Sequence, residues 1–138
     1  MAADLQITVS GTQKTKCKTK VFKFAGNEEF FPEPFMIGFA GDAGEIIDVV
    51  DFYEHPELYP KPPRLRNTQG LVLSESGKIF QFTSVTNWIL IDAKFASIGS
   101  GSSFALGAMQ VGASPKQAVE AASKIDPFTG MGIKTYKF

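Results

Sequence analysis

Residues 4–9, Asp-Leu-Gln-Ile-Thr-Val, alternate between polar and apolar, so a strand is predicted whose buried face carries Leu5, Ile7 and Val9. Ser10, Gly11 and Thr12 supply a turn. Lys14, Lys16, Lys18 and Lys20 then alternate with Thr15, Cys17 and Thr19, which puts one cationic face on an extended segment that continues through residues 21–24. Asn27, Glu28 and Glu29, with Pro32 and Pro34, read as a loop, and the apolar run 35–40 as a compact strand. Asp42 stands three residues before Glu45, the spacing of a capping box. The helix it opens has Ile46, Ile47, Val50 and Tyr53 at helical intervals as its core face, and His55 and Pro56 end it.

Residues 59–63, Tyr-Pro-Lys-Pro-Pro, fit neither a helix nor a central strand and predict a stiff connector. Residues 70–73 and 78–82 flank a Ser-Glu-Ser-Gly turn, the signature of a hairpin, and 88–91 add another strand. Residues 95–98 read as a buried strand end running into the turn Gly99, Ser100, Gly101. Ser102 or Ser103 then caps a helix carrying Phe104, Ala105, Ala108 and Met109. Hydroxyls and backbone N–H groups brought together in this way suit an anion, a carboxylate or a reacting carbonyl. Ser114, Pro115 and Gln117 occupy the cap, first and third positions of a last helix, whose stripe of Ala118, Ala121, Ala122 and Ile125 allows close packing. Asp126 and Pro127 break it before a terminal strand at 132–138. Strands, helix, strands, two helices and a strand make an α+β chain of one domain, residues 1–138.

Composition narrows the function classes. Hydrophobic residues at 43% and charged residues at 20% are ordinary for a folded domain of 138 residues. Fourteen basic residues balance fourteen acidic ones, which gives no general electrostatic case for nucleic acid or an anionic membrane. No apolar run spans a bilayer. The single Cys17 excludes an internal disulfide framework and fits a reducing, cytoplasmic setting. One His and one Cys are too few for a structural zinc site, and no metal or cofactor is expected.

Ile37-Gly-Phe-Ala-Gly41 before a helix, and Ser97-Ile-Gly-Ser-Gly101 before another, resemble the bacterial HslV peptidase and proteasome β-subunit family. Three further matches keep the family's order. Ala2-Ala3-Asp4 matches its Ala-Ala-Asp, Lys20 follows Asp4 at the family's separation of 16 residues, and Asp126-Pro-Phe-Thr-Gly130 resembles its Asp-x-x-Ser-Gly. The resemblance covers nearly the whole chain. It implies an N-terminal-nucleophile hydrolase fold, an αββα sandwich of two antiparallel sheets with flanking helices. In that chemistry an N-terminal threonine attacks an amide carbonyl, with its own amine as base. The resemblance then assigns Asp4 to orient Lys20, the Gly41 N–H to the oxyanion position, and Ser100, Asp126 and Thr129 to support the centre. Taken singly, five of them also have a plainer reading: Asp4 a frayed terminal residue, Lys20 a surface lysine, Gly41 and Ser100 turn residues, and Asp126 a helix-ending Asp-Pro turn.

Departures from the pattern bear on activity. In the family a threonine opens a strand before Ala-Ala-Asp, whereas this sequence opens at Met1, and Ala2 has neither hydroxyl nor thiol. Thr8, Ser10 and Thr12 are internal, and Cys17 is a nucleophile only if Lys18 or Lys20 activates it. The expectation is therefore a nucleophile-less protein that works by binding or assembly, of a size that suits a compact genome such as a bacteriophage's. The alternative is a threonine-type peptidase whose N-terminal strand this chain lacks. Without that strand, the sheet edge beside Leu5 and Ile7 calls for cover by another copy or a partner, and a peptide ligand is compatible with it. The Pro-rich connector stands where the family has a further long helix, which puts ring-on-ring stacking in doubt. A nucleic-acid interface using Lys14 to Lys23 with Phe22 and Phe24 is the disfavoured third reading.

Overall fold

The computed structural model describes residues 1–9, 13–26 and 31–138. The turn expected at 10–12 and the loop expected at 27–29 lie outside the described residues. The chain divides into two compact units: a terminal unit of Met1–Val21 with Phe95–Phe138, and a central unit of Phe22–Lys94.

The central unit is a five-stranded sheet with one helix. Its order is β4 (Val21–Phe24, whose first residue closes the terminal unit), β5 (Phe35–Gly41), β6 (Thr68–Ser74), β7 (Ile79–Ser84) and β8 (Asn87–Ile91). The pairs β5–β6, β6–β7 and β7–β8 are antiparallel, with Phe39 opposite Gly70 and Phe82 opposite Trp88. Period-2 alternation puts Phe35, Ile37 and Phe39 on one face of β5, where they join Val72, Phe82, Val49 and Phe52 in one buried cluster. Aromatic rings extend it: Phe24 stacks on Phe35 at 5.1 Å, and Trp88 meets Phe35 edge-on at 4.9 Å.

Val49 and Phe52 belong to α1 (Ala43–Glu54), which starts as expected. The Asp42 side chain accepts from the Glu45 N–H at 3.0 Å. The reciprocal half of the box is not made, because the Asp42 N–H goes to the Asn67 carbonyl and the Glu45 carboxylate accepts the N–H groups of Arg66 and Asn67. Of the expected core face, Ile46, Val50 and Tyr53 pack against the buried cluster and Ile47 does not. Val49 and Phe52 carry the burial, while Ile47 is 67% exposed. Intervals of three and four admit more than one stripe on a helix, and the sheet selects among them. A 3₁₀ turn, Pro56–Leu58, and coil then lead to β6, as the prolines require.

The terminal unit contains two short ladders and two helices. β1 (Ala2–Asp4) pairs antiparallel with β9 (Ile133–Thr135), and β2 (Gln6–Val9) with β3 (Gln13–Lys16). The single strand expected at 4–9 is thus interrupted at Leu5. The Leu5 N–H donates to the carbonyls of Gly130 and Gly132, and its carbonyl accepts from the Cys17 N–H, so hydrogen bonding continues through the gap. α2 (Ser102–Gln110) packs on α3 (Pro115–Ser123) through Ala105, Met109, Ala118 and Ala122. These small side chains let the two helices approach. Ser114 and Gln117 complete both halves of a capping box on α3.

Three further expectations fail in this unit. Residues 95–98 are coil, not a strand. α2 is capped by Gly101 with no side-chain hydrogen bond, so neither Ser102 nor Ser103 serves as its cap. Ile125 lies beyond α3 and is 61% exposed, outside the alanine stripe.

Candidate functional site

The extended lysine segment does not remain extended. β3 ends at Lys16, and the chain bends at Lys18 and Lys20. A local hydroxyl turn accompanies the break: Thr19 Oγ1 donates to the Val21 carbonyl at 2.8 Å and accepts the Val21 N–H at 3.1 Å. The four lysines therefore do not share one face. Lys14, Lys16 and Lys18 are exposed, whereas Lys20 turns to Asp4. Its Nζ lies 3.0 and 3.1 Å from the two Asp4 oxygens, and the two side chains are 19% and 16% exposed.

Asp4 is the last residue of β1, next to the interruption at Leu5. The Gln6 N–H donates to its Oδ1 at 2.8 Å and the Gly130 N–H at 3.3 Å. Two backbone N–H groups and an ammonium thus fix one carboxylate, and three segments distant in sequence meet there. Gln6 supplies a second tie. It is buried, and its Nε2 donates to the Pro127 carbonyl at 2.9 Å.

Pro127 follows Asp126, the centre of the second cluster. Asp126 Oδ2 accepts from Ser100 Oγ at 2.6 Å and Thr129 Oγ1 at 2.5 Å, and Oδ1 accepts the Phe128 N–H at 3.2 Å. The Phe128 contact is an Asx turn, the local preference that an Asp-Pro helix stop provides. Burial pushes the Asp126 carboxyl up, but the two hydroxyls, the Phe128 N–H and the charge of Lys14 together outweigh it. They hold the group below its ordinary value.

Five of the six residues named by the resemblance (Asp4, Lys20, Ser100, Asp126 and Thr129) therefore fall into two hydrogen-bonded clusters within the terminal unit. The segment 126–130 links them, since it carries both Asp126 and the Gly130 N–H that reaches Asp4. Gly41 belongs to the central unit, at the end of β5. Its φ of +128° and a space in which a Cβ would lie 2.0 Å from the Asn67 carbonyl oxygen make glycine obligatory there.

Gly101, a turn residue and the last of the Ser97–Gly101 motif in the sequence, also shapes the second cluster. A Cβ on it would lie 2.7 Å from Thr129 Oγ1 and 3.4 Å from Asp126 Oδ2. For Gln6 the sequence offers one signal, a polar residue between Leu5 and Ile7 in a half-buried strand. Cys17 is a free, half-buried thiol, and the neighbouring Lys20 ammonium is engaged by Asp4. Among the described residues no group of three His, Cys, Asp or Glu side chains could hold a metal ion, and no helix is long and apolar enough to cross a membrane.

No protein-family model matches the sequence, and no curated protein matches it. Solved structures do match the fold. HslV from Trypanosoma brucei aligns with a TM-score of 0.66 at 20% identity, over 96% of this chain and 88% of that one. Anbu, the ancestral β-subunit, from Yersinia bercovieri aligns with a TM-score of 0.69 at 12% identity, over 96% of this chain and 73% of that one. The helical assembly of the Anbu complex from Pseudomonas aeruginosa gives 0.64 at 9% identity over the same shares. The fold is therefore the α+β, N-terminal-nucleophile-hydrolase-like fold of HslV and Anbu, as the motifs implied.

Proposed function

We propose that this chain is a non-catalytic protein of HslV/proteasome-β type, acting as one domain in the cytoplasm through binding or assembly. One observation carries the reading: the supporting groups of the centre are built, and its hydroxyls and its lysine are directed to carboxylates. Lys20 Nζ is held by both Asp4 oxygens, and Ser100 and Thr129 both donate to Asp126. The structural relatives support the assembly part, since one of them is described as a helical assembly. Phe22 and Phe24 are packed in the central-unit cluster, which removes the stacking platform that a nucleic-acid reading needs.

Intact-mass spectrometry with a peptide warhead that captures N-terminal threonine tests the reading. The expected result is an unmodified chain beginning at Met1 or Ala2. An adduct mapped to one residue overturns it.

A threonine-type peptidase is the second reading, favoured by the same Asp4–Lys20 pair, because an ammonium bound to one carboxylate still has a third donor to offer. On that reading, adding about a dozen residues, one strand and turn, with Thr first confers amidase activity that Lys20→Ala abolishes. An inert extended chain excludes it.

A further inference from the structure

Thr19, the residue before Lys20, is held from a distant part of the terminal unit. Its Oγ1 lies 2.6 Å from the phenol oxygen of Tyr136, 117 positions along the chain. A threonine hydroxyl has one proton, and here it goes to the Val21 carbonyl, while the oxygen accepts the Val21 N–H. The contact with Tyr136 therefore has one direction: the phenol donates and Thr19 accepts. The proton and both acceptor positions of Thr19 are then in use, which gives the hydroxyl of this turn a single orientation.

Tyr136 is itself anchored. It follows β9 directly, and its N–H donates to the Met1 carbonyl at 2.8 Å, which carries the β1–β9 ladder one residue further. Lys134, two residues earlier and so on the same side of the strand, sets its Nζ over the ring, 5.5 Å from the centroid. A backbone bond and a cation over the ring face thus fix the phenol that reaches the lysine turn. At the start of that turn the Cys17 N–H is bound to the Leu5 carbonyl. Residues 17–19 are in this way tied at both ends to neighbours of Asp4. Leu5 follows Asp4 in the chain, and β9 places Ile133 opposite it.

The consequence falls on Lys20. Its Nζ meets the two Asp4 oxygens at 3.0 and 3.1 Å at the end of a flexible four-carbon stem. An ammonium has three donors, and where they aim depends on where the backbone that carries the stem is held. We propose that Tyr136 is a positioning residue for the Asp4–Lys20 pair. Acting through Thr19, its hydroxyl fixes the point from which the Lys20 side chain starts, and with it the grip on Asp4 and the aim of the third donor. The inference rests on the reading of Asp4 and Lys20 as supporting groups of the centre, which the non-catalytic and peptidase readings share.

A double-mutant cycle of Lys20→Met and Asp4→Asn, run in the unchanged chain and again with Tyr136→Phe, tests the proposal. Tyr136→Phe keeps the ring beneath Lys134 and removes only the hydroxyl, so the fold should persist, which circular dichroism checks. The Lys20–Asp4 coupling, read as a ratio of unfolding constants, should fall about twofold or more in that background. Thr19→Val should lower it likewise, and Thr19→Ser, which keeps the hydroxyl, should retain it. A merely structural role for Tyr136 would lower the stability of every member of the cycle by one factor and leave the coupling unchanged. NMR gives a second readout: the Lys20 ammonium protons should exchange faster with water in Tyr136→Phe, while the β1 amides keep their protection. Coupling and exchange unchanged in both Tyr136→Phe and Thr19→Val overturn the proposal and leave the proposed function standing. Coupling lost in Thr19→Val but kept in Tyr136→Phe assigns the positioning to the local turn and also overturns the role of Tyr136. A warhead adduct, by contrast, overturns the non-catalytic reading and leaves this one untouched.

Discussion

Thr129 Oγ1 lies 2.7 Å from the point at which a side chain on Gly101 would begin, so the hydroxyl that binds Asp126 occupies space that only glycine leaves open. Gly101 has a φ of −81°, which any residue adopts, so the requirement is one of room and not of backbone strain. Ala122, whose Cβ is 3.1 Å from the same point, closes the other side.

Gly101→Ala should accordingly destabilise the protein by about 1–3 kcal/mol, the usual cost of overpacking, and displace Thr129 from Asp126. Gly107→Ala is the control. It lies inside α2 with nothing within 4 Å of its Cβ position, and should stabilise by about 0.5–1 kcal/mol. Urea denaturation of both variants checks the contrast. Equal effects would remove the steric account.

The depressed Asp126 carboxyl sets a pH dependence of definite sign. Its stabilisation is fully present above the ordinary Asp value of 3.8 and is lost as pH falls through the lower folded value. Ser100→Ala and Thr129→Val each remove a donor to the carboxylate and should move that loss to higher pH. Titration of the Asp126 carboxyl carbon by NMR reads it directly, and a downward shift in either variant would contradict the assignment.

Lys20 and Asp4 should show an energetic coupling of about 0.5–3 kcal/mol in a double-mutant cycle of Lys20→Met and Asp4→Asn. The Gln6 and Gly130 N–H groups still face the position-4 side chain when Lys20 is replaced. Lys20→Met alone should therefore cost less than Asp4→Asn, which alters the acceptor of all three donors. Equal single-mutant losses would mean that the ion pair dominates the carboxylate's role.

Tyr59 in the central unit donates to Asp51 Oδ2 at 2.5 Å. That bond, followed by burial and the charges of Asp51 and Asp48, pushes its hydroxyl up to about 12. The neutral phenol is favoured in the folded state, so its stabilisation holds below the ordinary value of 10.0 and is lost as pH rises through about 12. Asp51→Asn should lower the phenol's titration in ultraviolet difference spectra. No movement would assign the shift to burial instead.

Strong local signals survived from sequence to structure. The Ser114 and Gln117 capping box, the hairpin around Ser74 and the proline connector all depend on neighbouring residues, whose preferences a sequence states openly. Asp4 and Lys20 became legible only through the spacing of a resembling family, because nothing local brings residues 16 apart together. What stayed hidden depended on tertiary competition. The Asp42 box reads as complete until Glu45 meets the N–H groups of Arg66 and Asn67, and Ile47 reads as core until the sheet takes Val49 and Phe52 instead. The bend after Lys16 was masked by a perfect lysine alternation, although Thr19 in its hydroxyl turn was visible throughout.

The Glu45 carboxylate has a consequence for how this chain tolerates being cut. It grips Arg66 and Asn67, while Tyr59 is tied back to Asp51, so α1 holds both ends of the proline-rich connector independently of the covalent chain between them. The intervening residues 60–64 are mainly exposed coil. New termini opened between Lys61 and Pro62 would leave both anchors intact, which makes this connector a natural place to permute the chain or to insert a reporter domain.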